Sequence, residues 1–122
     1  MKKYDVLNSV PICNVLRLCI EENQPTEIAK ELEKSIQTIS DQLSVLYSNK
    51  FVGRVTNGRR MDYKINVSNV LDTLKIPNQS RFIEDFLDNP NYESFSLNQL
   101  VRLFKLDIDR RSMNGTSTGK VY

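Results

Sequence analysis

Residues 25–65 read PTEIAKELEKSIQTISDQLSVLYSNKFVGRVTNGRRMDYKI. The stretch divides into a short helix, a tight turn, a longer helix and a two-stranded hairpin. In the longer helix, Ile36, Ile39, Leu43, Leu46 and Tyr47 recur at spacings of three and four, which gathers them into one apolar stripe. Ser35 precedes them, and its hydroxyl suits it to accept an orphan N–H of the first turn as an N-cap. The opposite side carries Gln37, Thr38, Asp41, Ser44 and Ser48, with Gln42 at its edge. That face is short-armed and nearly uncharged, whereas the preceding helix shows Glu27, Lys30, Glu31 and Glu33. Short hydrogen-bonding side chains are what a helix needs to approach base edges in a major groove.

The preceding helix starts near Pro25 or Thr26, since proline is tolerated in a first turn. Ile28, Ala29 and Leu32 form its inward face, and the small Ala29 lets the two helices cross closely. Leu32-Glu33-Lys34-Ser35 is the turn between them. In the hairpin, Val52–Val55 reads as one strand and Arg60–Ile65 as its partner, with Asn57-Gly58 as the expected turn pair because both residues accept positive φ. Met61, Tyr63 and Ile65 alternate with Arg60, Asp62 and Lys64, so one face is apolar and one charged. Arg54, Arg59, Arg60 and Lys64 cluster at or beside the tip. A basic loop next to a polar helix is the electrostatic footprint of a nucleic-acid surface.

This order of elements resembles the helix-turn-helix and wing of the ArsR-type winged-helix transcriptional regulators, over about a third of the chain. Many members carry glycine and an apolar residue where this chain has Glu33 and Lys34. The resemblance implies a mainly α fold with a small β-hairpin, a winged helix-turn-helix with extra C-terminal helices. It also implies a homodimer on double-stranded DNA; a cytoplasmic protein is the default expectation for a chain without a membrane span or signal pattern. Many members sense metals through cysteines in the first helix of the pair; here that segment is Thr26-Glu27-Ile28-Ala29-Lys30-Glu31-Leu32, so the metal-sensing motif is absent.

At 122 residues the chain has the size of one domain, and 39% hydrophobic with 26% charged residues is ordinary for a globular protein. The net charge of +2 does not by itself argue for nucleic acid; the placement of the charges does. No apolar run reaches the roughly 18 residues of a membrane span, and the N-terminus lacks the pattern of a signal peptide. There is no histidine, which removes the commonest general base and transition-metal ligand. Cys13 and Cys19 lie about 240° apart around a helix, so they cannot bridge each other there and read as small hydrophobes. A disulfide between subunits is the minor alternative. With no paired thiolate motif or glycine-rich phosphate loop, no enzyme, metal or cofactor is expected.

Outside the central stretch, Met1–Leu7 is a lead-in and Ser9–Glu22 a first helix with Ile12, Val15, Leu16, Cys19 and Ile20 on its apolar side. Ser68 is expected to cap a helix over Asn69–Lys75. Residues 78–87 form the next helical candidate, with Phe82, Ile83, Phe86 and Leu87 on one side. Ser96 and Gln99 make a capping-box pattern ahead of a helix lasting to about Leu106. Residues 1–76 are thus the winged DNA-binding unit, 77–111 a helical extension and 112–122 a flexible tail. The extension's aromatic faces must find a partner. They either complete the same core or form a two-fold interface, and the second is taken as the role of 77–111.

Two functions follow. The first is a sequence-specific DNA-binding transcription regulator, a repressor acting as a homodimer. Gln37 would pair with adenine, Thr38 touch a thymine methyl or phosphate, and Gln42 reach a neighbouring base. Asp41 would accept from a cytosine amino group or pair with Lys34. Ser35 and the helix N-terminus would hold a phosphate, while Arg54, Arg59, Arg60 and Lys64 grip backbone. The alternative is a winged-helix protein–protein interaction subunit of a larger complex. Single-stranded binding would need exposed aromatics for stacking, and Tyr47 and Tyr63 are expected inward.

Overall fold

The computed structural model describes the backbone of residues 3–120, with side chains over residues 5–56 and 58–110. The chain is mostly helical with one antiparallel hairpin. In order it forms α1 (Lys3–Val6), α2 (Val10–Leu18), α3 (Pro25–Leu32), α4 (Ile36–Ser48), β1 (Val52–Asn57), β2 (Arg60–Ile65), α5 (Val67–Leu74), a π-helical turn (Ile83–Leu87), a 3-10 turn (Pro90–Tyr92) and α6 (Leu97–Lys120).

The local signals at helix starts work as side-chain chemistry demands. Ser9 caps α2 by accepting from the Ile12 amide at 3.3 Å, and Ser35 caps α4 by accepting from the Thr38 amide at 3.1 Å. At α6 the capping box closes in both directions: the Ser96 amide donates to Gln99 Oε1 at 2.8 Å, and the Gln99 amide donates to Ser96 Oγ at 3.3 Å. At α5 the cap is Asn66 rather than Ser68. Its Oδ1 accepts from the Asn69 amide at 3.3 Å, so the helix begins two residues earlier than expected. Asn69 is thereby freed to turn its own amide outward, donating to the carbonyls of Asn49 at 3.0 Å and Lys50 at 2.8 Å. These bonds satisfy the C-terminal end of α4.

The ends of α3, α4 and α5 share one device. Glu33, Lys50 and Lys75 follow α3, α4 and α5 in the left-handed region, at φ of 54°, 64° and 59°. In each case the next amide reaches back five residues: Lys34 to Ala29 at 2.9 Å, Phe51 to Leu46 at 2.9 Å and Ile76 to Leu71 at 2.9 Å. This is the Schellman arrangement, usually built on glycine. Glu33 therefore occupies a left-handed backbone conformation that glycine adopts at no steric cost. Because a non-glycine residue there costs on the order of 1 kcal/mol, Glu33→Gly is expected to raise the unfolding free energy by up to about 1 kcal/mol in urea titrations.

Two boundaries differ from expectation because of pairing across the chain. The first helix stops at Leu18, not Glu22. Residues 19–23 leave it to lie along the outer edge of β2: Ile65 donates to the Cys19 carbonyl at 2.7 Å, and Asn23 and Tyr63 exchange bonds of 3.1 and 2.7 Å. Those bonds satisfy backbone groups that β2 would otherwise leave unpaired. In the hairpin, Asn57 pairs with Arg60, so the two-residue turn is Gly58-Arg59 and not Asn57-Gly58. Gly58, at φ 65°, is the first central residue, where a II′ turn places glycine.

The C-terminal segment closes onto the same core as the rest. Val15, Leu16, Ile28, Ile39, Leu43, Leu46, Phe51, Val70 and Leu71 form one buried cluster with Phe82, Phe86, Leu87, Leu97, Leu100 and Val101. Of the two options for the aromatic faces, Phe82 and its neighbours complete this core. No proline follows Ser96, and nothing forces a stop at Leu106. The tail expected over 112–122 is helical backbone as far as Lys120, and its last two residues lie outside the described residues. Past Val101 the helix shows apolar residues outward: Leu106 and Ile108 are 59% and 46% exposed.

Cys13 and Cys19 are free thiols buried in that core. The Cys13 Sγ donates to the Leu7 carbonyl and accepts from the Leu97 amide. Burial pushes the Cys13 thiol up to about 11 and the Cys19 thiol up to about 12, which keeps both protonated and unreactive.

Candidate nucleic-acid interface

The site is built on α4 and the hairpin. Ile39, Leu43 and Leu46 lock α4 against the core with no exposed surface. That anchoring turns Gln37, Thr38, Asp41, Ser44 and Ser48 to solvent and leaves Gln42 half-buried. The outward face is partly pre-ordered. Ser35 Oγ donates to Thr38 Oγ1 at 2.8 Å, and Gln37 Nε2 donates to Asp41 Oδ1 at 2.9 Å, one turn apart. Asp41 thus takes Gln37 as its partner and not Lys34. This bond holds the Gln37 amide plane and leaves its Oε1 as an open acceptor. The amides of Ile36 and Gln37 are among the first-turn donors that no intrahelical carbonyl can reach, which makes this end of α4 suited to an anion.

The four basic residues of the hairpin divide into distinct environments. Arg54 lies against α4: its guanidinium carbon sits 3.8 Å from the Tyr47 ring centroid and 5.5 Å from that of Tyr63, and its Nε donates to the Tyr63 hydroxyl at 3.1 Å. Its two terminal nitrogens make no bond to another described residue. Arg59 occupies the turn and Lys64 the face of β2 away from Tyr63; both are exposed with no ion-pair partner among the described residues. Arg60 is different. Its Nε meets Asp62 Oδ1 at 2.7 Å and its Nη2 lies 3.9 Å from Glu27 on α3. The hydrogen bond that Arg60 donates to Asp62 raises its guanidinium above the ordinary value. Arg60 therefore covers Asp62, which is only 5% exposed although it lies on the charged face. The structure brings Arg54 to α4 and sends Arg60 toward α3.

Two residues expected on the inward stripe of α4 are outside. Ile36 is 54% exposed and Tyr47 41% exposed. Ile36 is the first helical residue, so no preceding turn covers it. Tyr47 falls about 70° from the centre of the Ile39–Leu43–Leu46 stripe at 100° per residue, far enough to leave the core. Its face is taken by Arg54, while Tyr63 is buried as expected. The helical angle of Tyr47 was available from the sequence; its arginine partner was not. Met61, grouped with Tyr63 and Ile65, is also exposed, because the hairpin extends past the body of the core toward its turn.

Among the described residues no group of His, Cys, Asp or Glu side chains is placed to hold a metal ion, and no helix is long and apolar enough to cross a membrane. No family model matches the chain, and none of the curated proteins is similar to it.

Proposed function

We propose that this chain is a winged helix-turn-helix of the kind the ArsR-type regulators use, without their metal-sensing cysteines, and that it binds double-stranded DNA by sequence. In this reading α3 and α4 are the helix pair, α4 is the recognition helix and the β1–β2 hairpin is the wing. The protein is a transcription regulator, a repressor that occupies its operator as a homodimer, and it catalyses no reaction. The observation that carries the reading is the outward face of α4. Five side chains reach solvent there, four of them uncharged amides or hydroxyls, and Ile39, Leu43 and Leu46 hold the helix in place behind them. Arg54, Arg59 and Lys64 supply cations with groups free to meet phosphate, and Arg60 serves chiefly to hold the wing to α3. The exposed Leu106 and Ile108 of α6 support a second copy as partner, since such side chains gain by being covered.

Selection from a random duplex pool tests the reading. The wild-type protein is expected to enrich one sequence. Gln37→Ala is expected to lower discrimination at a single base position by about 1–3 kcal/mol, the worth of a bidentate amide–adenine pair. An unchanged preference in Gln37→Ala removes that residue from the readout. Enrichment of no sequence favours a winged helix used for contact with another protein.

A further inference from the structure

We infer that Ile36 is a base-reading residue that recognises the C5-methyl group of a thymine, a deepening that rests on the DNA-binding reading above. Ile36 is the first residue of α4, directly after the Ser35 cap, and more than half of its surface is in water. In the stripe to which its spacing assigns it, Ile39, Leu43 and Leu46 are fully covered; Ile36 alone at this end of the helix is left out. A branched apolar side chain is therefore held at the end of the helix that a major-groove approach brings deepest, about 100° around the axis from the exposed Gln37.

Of the four bases only thymine offers an apolar group to that groove, its methyl. Ile36 has no hydrogen-bonding atom, so it favours thymine over cytosine by contact and by refusing to satisfy the cytosine amino group. Four residues on, Ser40 lies on the same side of α4, and eleven residues on comes Tyr47 with Arg54 stacked over it. This side of the helix runs from an apolar tip to a guanidinium about 16 Å along the axis. Ile36 thereby meets a base while Arg54 meets the backbone beyond it.

The experiment compares thymidine with deoxyuridine, which differ only by the C5-methyl. A duplex selected by the wild-type protein from a random pool is resynthesised with deoxyuridine at each thymine in turn, and binding is measured with wild type and Ile36→Ala. At one position the replacement is expected to weaken wild-type binding by about three- to fivefold, the worth of one buried methyl, and Ile36→Ala by less than about 1.5-fold. The duplex change probes the unaltered protein, so the result does not depend on the variant alone; a circular-dichroism melt of Ile36→Ala verifies its fold. A penalty of equal size in both proteins, or none at any thymine, overturns the assignment while leaving DNA binding intact. Failure of the wild-type protein to select any duplex overturns both.

Discussion

Arg17→Met is expected to lower the unfolding free energy by about 3–5 kcal/mol, since hydrogen bonds to charged groups contribute about 1.5–3 kcal/mol each and three are lost together. Arg17 leaves α2 half-buried and donates from Nη1 to the Leu87 carbonyl at 2.7 Å and from Nη2 to the carbonyls of Tyr92 and of Phe95, the last at 3.1 Å. These carbonyls run from the last residue of the π-helical turn to the residue two before α6. Burial lowers the Arg17 guanidinium below its ordinary value, with Cys13, Glu93 and Asp88 acting against that shift. Losses of this kind are not additive, so the expected value lies below the sum. It is still a large part of the about 5–15 kcal/mol that holds a domain of this size. Arg17→Lys should recover less than half, because one ammonium cannot span three carbonyls as a planar fork does. The measurement is the urea midpoint at constant slope. A cost under about 1 kcal/mol, on the scale of a single neutral hydrogen bond, would show that water replaces the guanidinium without loss.

Phe82→Ala is the second large effect, about 3–5 kcal/mol for an aromatic truncated in a packed core. Phe82 is fully buried, with ring centroids 6.0 Å from Phe86 and edge-on at 5.5 Å from Phe104. Phe86 in turn stacks on Tyr92 at 5.4 Å, and Tyr92 meets Phe95 edge-on at 5.6 Å. The cluster ties α6, through Phe104, to the irregular segment. Since it belongs to the fold of one chain, the loss is expected to be the same at low and high protein concentration. A loss that grows on dilution would instead place these rings in an interface, because the stability of an obligate dimer depends on protomer concentration.

These two residues also mark where the sequence stops being legible. The Arg17 staple joins positions 70, 75 and 78 residues apart, and no local pattern announces such a pairing. The same holds for residues 19–23, which periodicity assigns to the first helix but which β2 draws away to complete its edge. Signals that act within one turn were readable: the Ser35 cap, the Ser96–Gln99 box and the Ile39–Leu43–Leu46 stripe. The turn slipped by one residue because Asn57-Gly58 and Gly58-Arg59 both place a glycine where positive φ is needed, and strand pairing chooses between them. At the candidate site, the exposure of Gln37, Thr38 and Asp41 followed from helical spacing. The partners of the hairpin arginines did not. Arg60 sits two residues from Asp62 on one strand face, a neighbour readable in retrospect, but Glu27 and Tyr47 are brought in only by the packing of α3 and α4.

The dependence of duplex binding on salt tests the central claim most directly. Anisotropy titrations of the wild-type protein on its selected duplex, from low to physiological ionic strength, should give a straight line of log affinity against log salt. With Arg54, Arg59 and Lys64 each meeting a phosphate in both subunits, its slope should be about −5, and Arg59→Ala should lessen it by about one per subunit. Affinity that does not change with salt, or a slope that Arg59→Ala and Lys64→Ala both leave untouched, would contradict an α4-and-hairpin surface built for DNA.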